Sequence, residues 1–279
     1  MPNAAKCPFD ILVHLRRTDT PGAAGAVGLA LAQRLDAWVT GLHMVPMAPV
    51  AFASPEAVAM YANEADAAYR DALHCTPFWQ AALDAHGVRG EWQVGQGDVV
   101  ESLCRASRWN DLVVVERPQL NPDAPVGWGV VSRTVFGASA PVVVVPDSAR
   151  AATVGRRIAV AWNRSREGAL AIRGALPLLA RAESVQVFEG EPAENPLGLR
   201  YLPALDLRAW LNRRGVDADF TAFDARSNIG AALLDSAHAM DADLIVMGAW
   251  GHSRIAELVL GGTTRHLFQH SDLPLLVAH

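Results

Sequence analysis

Aliphatic runs of four or five residues recur along this chain, and each is followed by a longer stretch of mixed polarity rich in alanine. Runs of that length, dense in valine and isoleucine and free of alternation, read as strands buried on both faces; the longer stretches carry helical spacing. The pattern predicts strands near 11–15, 39–45, 90–94, 112–116 and 142–145, and again near 157–162, 184–188, 218–222, 243–247 and 275–278. Helices are predicted from Ala23 to Ala37 and from Arg166 to Arg181, with a further alanine-rich helix between Met44 and Pro77 behind Pro46, Pro49 and Pro55. Ser165, Gly97-Asp98 and Ser227-Asn228 each precede a helical run and supply its N-cap.

The two series of strands are copies of one pattern. Asp111-Leu-Val-Val-Val and Asp243-Leu-Ile-Val-Met lie 132 positions apart, and Pro141-Val-Val-Val-Val and Pro274-Leu-Leu-Val-Ala lie 133 apart. Strands alternating with helices require crossover connections, and these are right-handed when the strands run parallel. An α/β fold of two tandem Rossmann-like domains follows, residues 1–147 and 155–279, joined around Asp147 to Val154.

Composition narrows the function classes. At 279 residues with 51% apolar residues, the chain can build one large core or two ordinary ones. No apolar run approaches the ~20 residues that span a bilayer, and the opening Met-Pro-Asn-Ala-Ala-Lys-Cys-Pro lacks the apolar centre of a signal peptide. A cytoplasmic protein is expected. A formal charge of −5 argues against a dedicated nucleic-acid binder, which normally presents a basic face. Three cysteines, Cys7, Cys75 and Cys104, encode neither a disulfide framework nor a zinc knuckle and are expected to be inert thiols.

One segment carries chemistry. Residues 244–267 run from an aliphatic strand into Gly248 and Gly251, then through a short amphipathic stretch to Gly261 and Gly262, with Thr263 and Thr264 following. Glycine lets backbone N–H groups approach an anion, and a helix N-terminus offers unpaired donors with partial positive charge. The lysine-bearing loop Gly-x4-Gly-Lys-Ser/Thr of dedicated nucleotide hydrolases is absent.

The spacing Gly248-x2-Gly251-x9-Gly261 resembles the nucleotide motif of the universal stress protein family, in which a serine or threonine follows the last glycine. Here Gly262 stands at that position, and Thr263 or Thr264 takes over the hydroxyl. The resemblance extends over nearly the whole chain. It implies two five-stranded parallel sheets of order 3-2-1-4-5 flanked by helices, paired through their fifth strands as a pseudo-dimer within the chain, with a further homodimer left open. It also implies an adenine nucleotide, ATP before ADP or AMP, with or without Mg²⁺, in the second half.

In an open parallel sheet the ligand lies beyond the carboxyl ends of the strands at the switch point. Carried onto this sequence, Ala161, Trp162, Asn163 and Met247 would meet the base and ribose. Gly248 and Gly251 would shape the turn, and Gly261, Gly262, Thr263 and Thr264 would cradle phosphate. Asn163 replaces the family's usual acidic residue, and its amide still bonds a ribose hydroxyl. The first half reads Glu116-Arg117-Pro118-Gln119-Leu120 where the second has its glycine turn, and Arg16 ends its first strand; a structural or regulatory role is expected for it.

Other features have plainer readings. Trp162 and Trp250 cover the core as readily as they frame a base. Arg254 and Arg265 are solvated or meet phosphate, and Gly22, Gly25 and Gly28 suit close helix packing. His266 and His270, four apart, lack an evident third metal ligand. The function implied is a nucleotide-binding sensor or regulator acting on an unknown protein partner, with at most slow hydrolysis. The alternative is a nucleotide-free interaction module of the same fold.

Overall fold

The computed structural model describes residues 9–47, 54–117, 129–190, 206–224, 228–249 and 262–279. In the first half β1 (Asp10–His14) is followed by α1 (Gly22–Leu35), β2 (Trp38–Val45), α2 (Pro55–Leu73) and α3 (Thr76–His86). Then come β3 (Arg89–Gln96), α4 (Val99–Ala106), β4 (Leu112–Arg117), α5 (Val130–Gly137) and β5 (Val142–Pro146). The second half repeats the order with one described helix in place of α2 and α3: β6 (Arg157–Trp162), α6 (Arg166–Leu179), β7 (Ser184–Gly190), α7 (Leu207–Asn212) and β8 (Asp219–Phe223). It ends with α8 (Ile229–Ala239), β9 (Leu244–Gly248), α9 (Gly262–His270) and β10 (Leu275–Ala278).

All ten expected strands are present, most shifted by one or two residues at an end. They form one sheet of order β3-β2-β1-β4-β5-β10-β9-β6-β7-β8, so each half has the order 3-2-1-4-5. Pairing is parallel within each half and antiparallel at the junction, where Leu275, Leu276 and Val277 face Val144, Val143 and Val142. Every one of those six side chains is at most 1% exposed. The fifth-strand pairing implied by the family resemblance is thus met inside one chain.

Alternate strand residues feed two cores. Ile11, Val13, Ile158 and Val160 pack with α1, α3, α6 and α7, while Leu12, Val113, Ala159 and Ile245 pack with α4, α5, α8 and α9. Both faces are therefore covered by helices, and this explains why the strands read as unbroken aliphatic runs. Gly28 has the close-packing role expected of the small face on α1: a Cβ there would lie 2.5 Å from Val13.

The expected caps are in place. Asp98 accepts from Glu101 N–H at 2.7 Å, Ser165 from Gly168 N–H at 3.0 Å, and Asn228 from Ala231 N–H at 3.3 Å. Two arginines join the halves away from the sheet. Arg34 on α1 donates to the carbonyls of Gly155 at 3.0 Å and Arg181 at 2.9 Å. Arg117, at the end of β4, donates to the carbonyls of Phe268 and Ser271 at the C-terminus of α9. The last carbonyls of a helix carry partial negative charge, and a cation is favoured there.

Candidate functional site

In the second half, β6 and β9 are neighbours and their carboxyl ends lie at the switch point of the strand order. The ends diverge because the connections leave to opposite faces. The chain after β6 turns through Asn163 and Arg164 into α6 on one face, and the chain after β9 leads to α9 on the other. Arg164 adopts φ 61°, a left-handed conformation uncommon outside glycine and asparagine, and this tightens the turn.

Of the ten residues predicted to bind nucleotide, eight are described; Gly251 and Gly261 lie outside the described residues, as do Trp250 and Arg254. Ala161 and Met247 face the core shared with α8 and α9, Met247 being 3% exposed. Gly262 opens α9 with nothing within 4 Å of where its Cβ would be. Thr263 is half-buried beside it, and Thr264 is 4% exposed and turned into the core. Gly262 and Thr263 are therefore the accessible members of that helix start. Arg265, one turn in, is exposed.

Asn163 sits exposed at the mouth of the cleft, where its side-chain oxygen accepts from Ser165 N–H at 3.2 Å. That bond orients the carbonyl toward the start of α6 and leaves the amide N–H groups to solvent or ligand. Trp162 behaves differently from its neighbours on β6. Its ring belongs to the core under α6, it is 5% exposed, and its indole N–H is buried without an acceptor. The core-covering role is the one it takes.

Gly248 is required for a reason that sequence reasoning missed. A Cβ there would lie 2.4 Å from the backbone nitrogen of Gly168 and 2.7 Å from the carbonyl carbon of Glu167, so the first turn of α6 rests directly on the end of β9. The glycine brings helix and strand together whether or not an anion follows. A signal was available in the matching position of the first half, which is Glu116 (248 minus the 132-residue repeat).

Glu116 shows what else can fill that space. Its carboxylate accepts from Ala23 N–H, at the start of α1, at 3.1 Å and pairs with Arg16 at 3.2 Å. Helix α1 therefore receives from its own chain the negative charge that its N-terminus favours. One strand away, His14 is 9% exposed, and burial first, then His43 and Arg16, hold its pKa down to about 4. Helix α5 begins Val130-Val131-Ser132 where α9 begins Gly262-Thr263-Thr264, and the one hydroxyl in its first turn, on Ser132, is 4% exposed.

Other polar clusters are accounted for. His266 and His270 lie 4.5 Å apart ring to ring, and burial together with His270 lowers the pKa of His266. Among the described residues no group of three or more histidine, cysteine or acidic side chains is arranged to hold a metal ion. Cys75 and Cys104 are free and half-buried, and burial raises the Cys104 thiol. No helix among the described residues is long and apolar enough to cross a membrane.

Comparison with known proteins agrees with this architecture. Residues 155–279 match the model of the universal stress protein family. The whole fold matches a universal stress protein from Archaeoglobus fulgidus DSM 4304 with a TM-score of 0.71 and 15% identity, covering 97% of this chain and 96% of that one. A functionally unknown protein from Pseudomonas aeruginosa PAO1 also shares the fold, with a TM-score of 0.55 and 15% identity over 97% and 92% of the two chains. No curated protein matches the chain by sequence. The second half thus matches the universal stress protein family, and the fold of a universal stress protein spans both halves.

Proposed function

We propose that the second half binds an adenine nucleotide, ATP in the first place, between the ends of β6 and β9 and the start of α9. The observation that carries this reading is positional. The spacing Gly248-x2-Gly251-x9-Gly261 leaves β9 at the switch point and ends immediately before α9, where an anion gains both close backbone approach and the helix N-terminus. Asn163 at the mouth supplies a ribose contact, and Ala161 with Met247 an apolar floor for the base. In this reading residues 1–147 form a unit that binds no nucleotide, because Glu116 and Arg16 already occupy the corresponding position.

The nucleotide serves regulation in the cytoplasm: it favours whichever conformation of the chain, or complex with a partner protein, binds it more tightly. Calorimetric titration of ATP, ADP, AMP and GTP, with and without Mg²⁺, tests the assignment. One adenine nucleotide per chain is expected, lost in Gly251→Val and in Gly261→Val at unchanged melting temperature. Binding by those variants as tight as by the parent chain would place the site elsewhere.

A second reading, a nucleotide-free interaction module, draws on the exposed Val58, Met60 and Tyr61 of α2. It gains if the freshly purified chain releases no nucleotide on denaturation and takes none up.

A further inference from the structure

Beside Trp162, on the face away from α8 and α9, a cavity of about 460 Å³ opens between α6 and α7. Its walls are Trp162, Ala169, Ile172, Leu207 and Trp210, and Arg173 and Arg213 stand exposed at its rim. The volume lies within the roughly 300–1,000 Å³ of small-molecule sites. Apart from Trp162, none of the residues assigned to the nucleotide cleft lines it.

The first half shows why the space is open. Gly87 and Gly215 both follow a helix in the left-handed conformation, at φ 62° and 73°, and eight positions before them stand Trp79 and Leu207. Trp79 is fully buried, and it lies so close to Gly41 that a Cβ there would be 2.6 Å from the indole. Gly41 pairs with Val13 in the sheet, and the matching pair in the second half is Val187 with Val160. Val187 removes the seat for an indole from the facing helix, and Leu207 is too small to reach across. What a tryptophan fills in one half is left as a cavity in the other.

The polar groups around the cavity are unmatched. The indole N–H of Trp162 is buried with no acceptor. Trp79 has the same unpartnered N–H, but its own ring occupies the space beside it. Among the described residues, the side chains of Arg173 and Arg213 form no hydrogen bond or ion pair. Asp206, also at the rim, is engaged as the cap of α7 through Ala209 N–H at 2.9 Å. Two guanidinium groups therefore face one carboxylate across an apolar hollow.

We propose that this cavity binds a small organic carboxylate with an apolar body. The aliphatic and aromatic walls bury the body, and the rim arginines match the carboxylate in charge and fork geometry. This site is separate from the nucleotide cleft and does not depend on it.

Octanoate is the probe. Calorimetry follows its binding to the full chain, while NMR follows the Trp162 indole N–H, identified by its loss in Trp162→Phe. Saturable binding at one site is expected, with a shift of that resonance, and 1-octanol should bind about tenfold more weakly because it lacks the charge. The double substitution Arg173→Gln and Arg213→Gln, on exposed positions, should remove the preference for octanoate. Ala169→Phe should fill the cavity and abolish binding of both ligands while ATP titrates as in the parent. Equal affinity for octanol and octanoate, an unmoved indole resonance, or full octanoate binding by the double variant would overturn the proposal. If Ala169→Phe fails to fold, the arginine pair and the indole shift decide the matter alone.

Discussion

Where the second half presents Ala161, Asn163 and Gly248 at the ends of its central strands, the first presents His14, Arg16 and Glu116. The strand order is the same; the electrostatics at the strand ends are opposite in kind. In the first half, carboxylate, guanidinium and helix N-terminus satisfy one another at 3.1 and 3.2 Å. In the second, small neutral residues stand at those strand ends, and the start of α6 is capped by Ser165, whose hydroxyl accepts from Gly168 N–H. The start of the helix that follows the first strand is thus satisfied within the chain in both halves, by a carboxylate from β4 in one and by a local serine cap in the other.

Three substitutions break or sharpen this contrast. The largest effect is expected from Gly248→Glu, which copies the first half's residue into the second. With Gly168 nitrogen 2.4 Å from the new Cβ, α6 must move, and a loss of about 2–4 kcal/mol in unfolding free energy is expected together with loss of nucleotide binding. Denaturant titration and calorimetry measure the two effects. Retained stability would mean that α6 is seated less tightly than its contact with β9 indicates.

The next effect is a pH dependence. His14 is held neutral by burial, with its pKa near 4 against 6.5 for a free histidine. The unfolded chain therefore takes up a proton first as the pH falls. The stability that His14 supports is complete above about pH 6.5 and is lost progressively toward pH 4, by about 3 kcal/mol in all. His14→Ala, the residue found at the matching position 161, should flatten this part of the stability curve, whatever it does to the plateau. Parallel curves for parent and variant would remove His14 as its source.

The smallest effect concerns the ion pair. Glu116→Gln keeps an oxygen for Ala23 N–H but gives up the charge beside Arg16, which is itself 43% exposed. A cost of about 0.5–1 kcal/mol is expected. Should Glu116→Gln instead give the first half a measurable affinity for ATP, the carboxylate alone would be what keeps that half closed.

Much of this molecule was legible in its sequence because hydrophobic pattern and repeat carried the same message. Val142–Val145 and Leu275–Ala278 read as buried strands because they are unbroken aliphatic runs; the alternation of strand and helix implied parallel pairing, the 132-residue offset marked the repeat, and the family resemblance supplied the strand order. Ser165 and Asp98 were readable as caps because capping is local chemistry. What was not legible depended on direction or on distance across the fold. Trp162 and Ala161 are adjacent in sequence, yet the strand's alternation sends one under α6 and the other toward α8 and α9. Gly248 was read through its neighbour Gly251 as part of a phosphate turn. Its contact is with a helix eighty residues earlier, which no local motif encodes. The cavity beside Trp162 arises from two replacements on different elements, Val187 and Leu207, each unexceptional alone.

The antiparallel seam between β5 and β10 has a consequence for symmetry. Two identical subunits meeting through such an edge are bound to be alike, so a charge that closes one site closes both. One continuous chain carries no such obligation. Joined covalently, the halves meet at an effective concentration set by the link and not by expression level. Mutations can then accumulate on one side of the seam without being copied to the other, and that freedom allows Glu116 and Gly248 to occupy matching places in a single molecule.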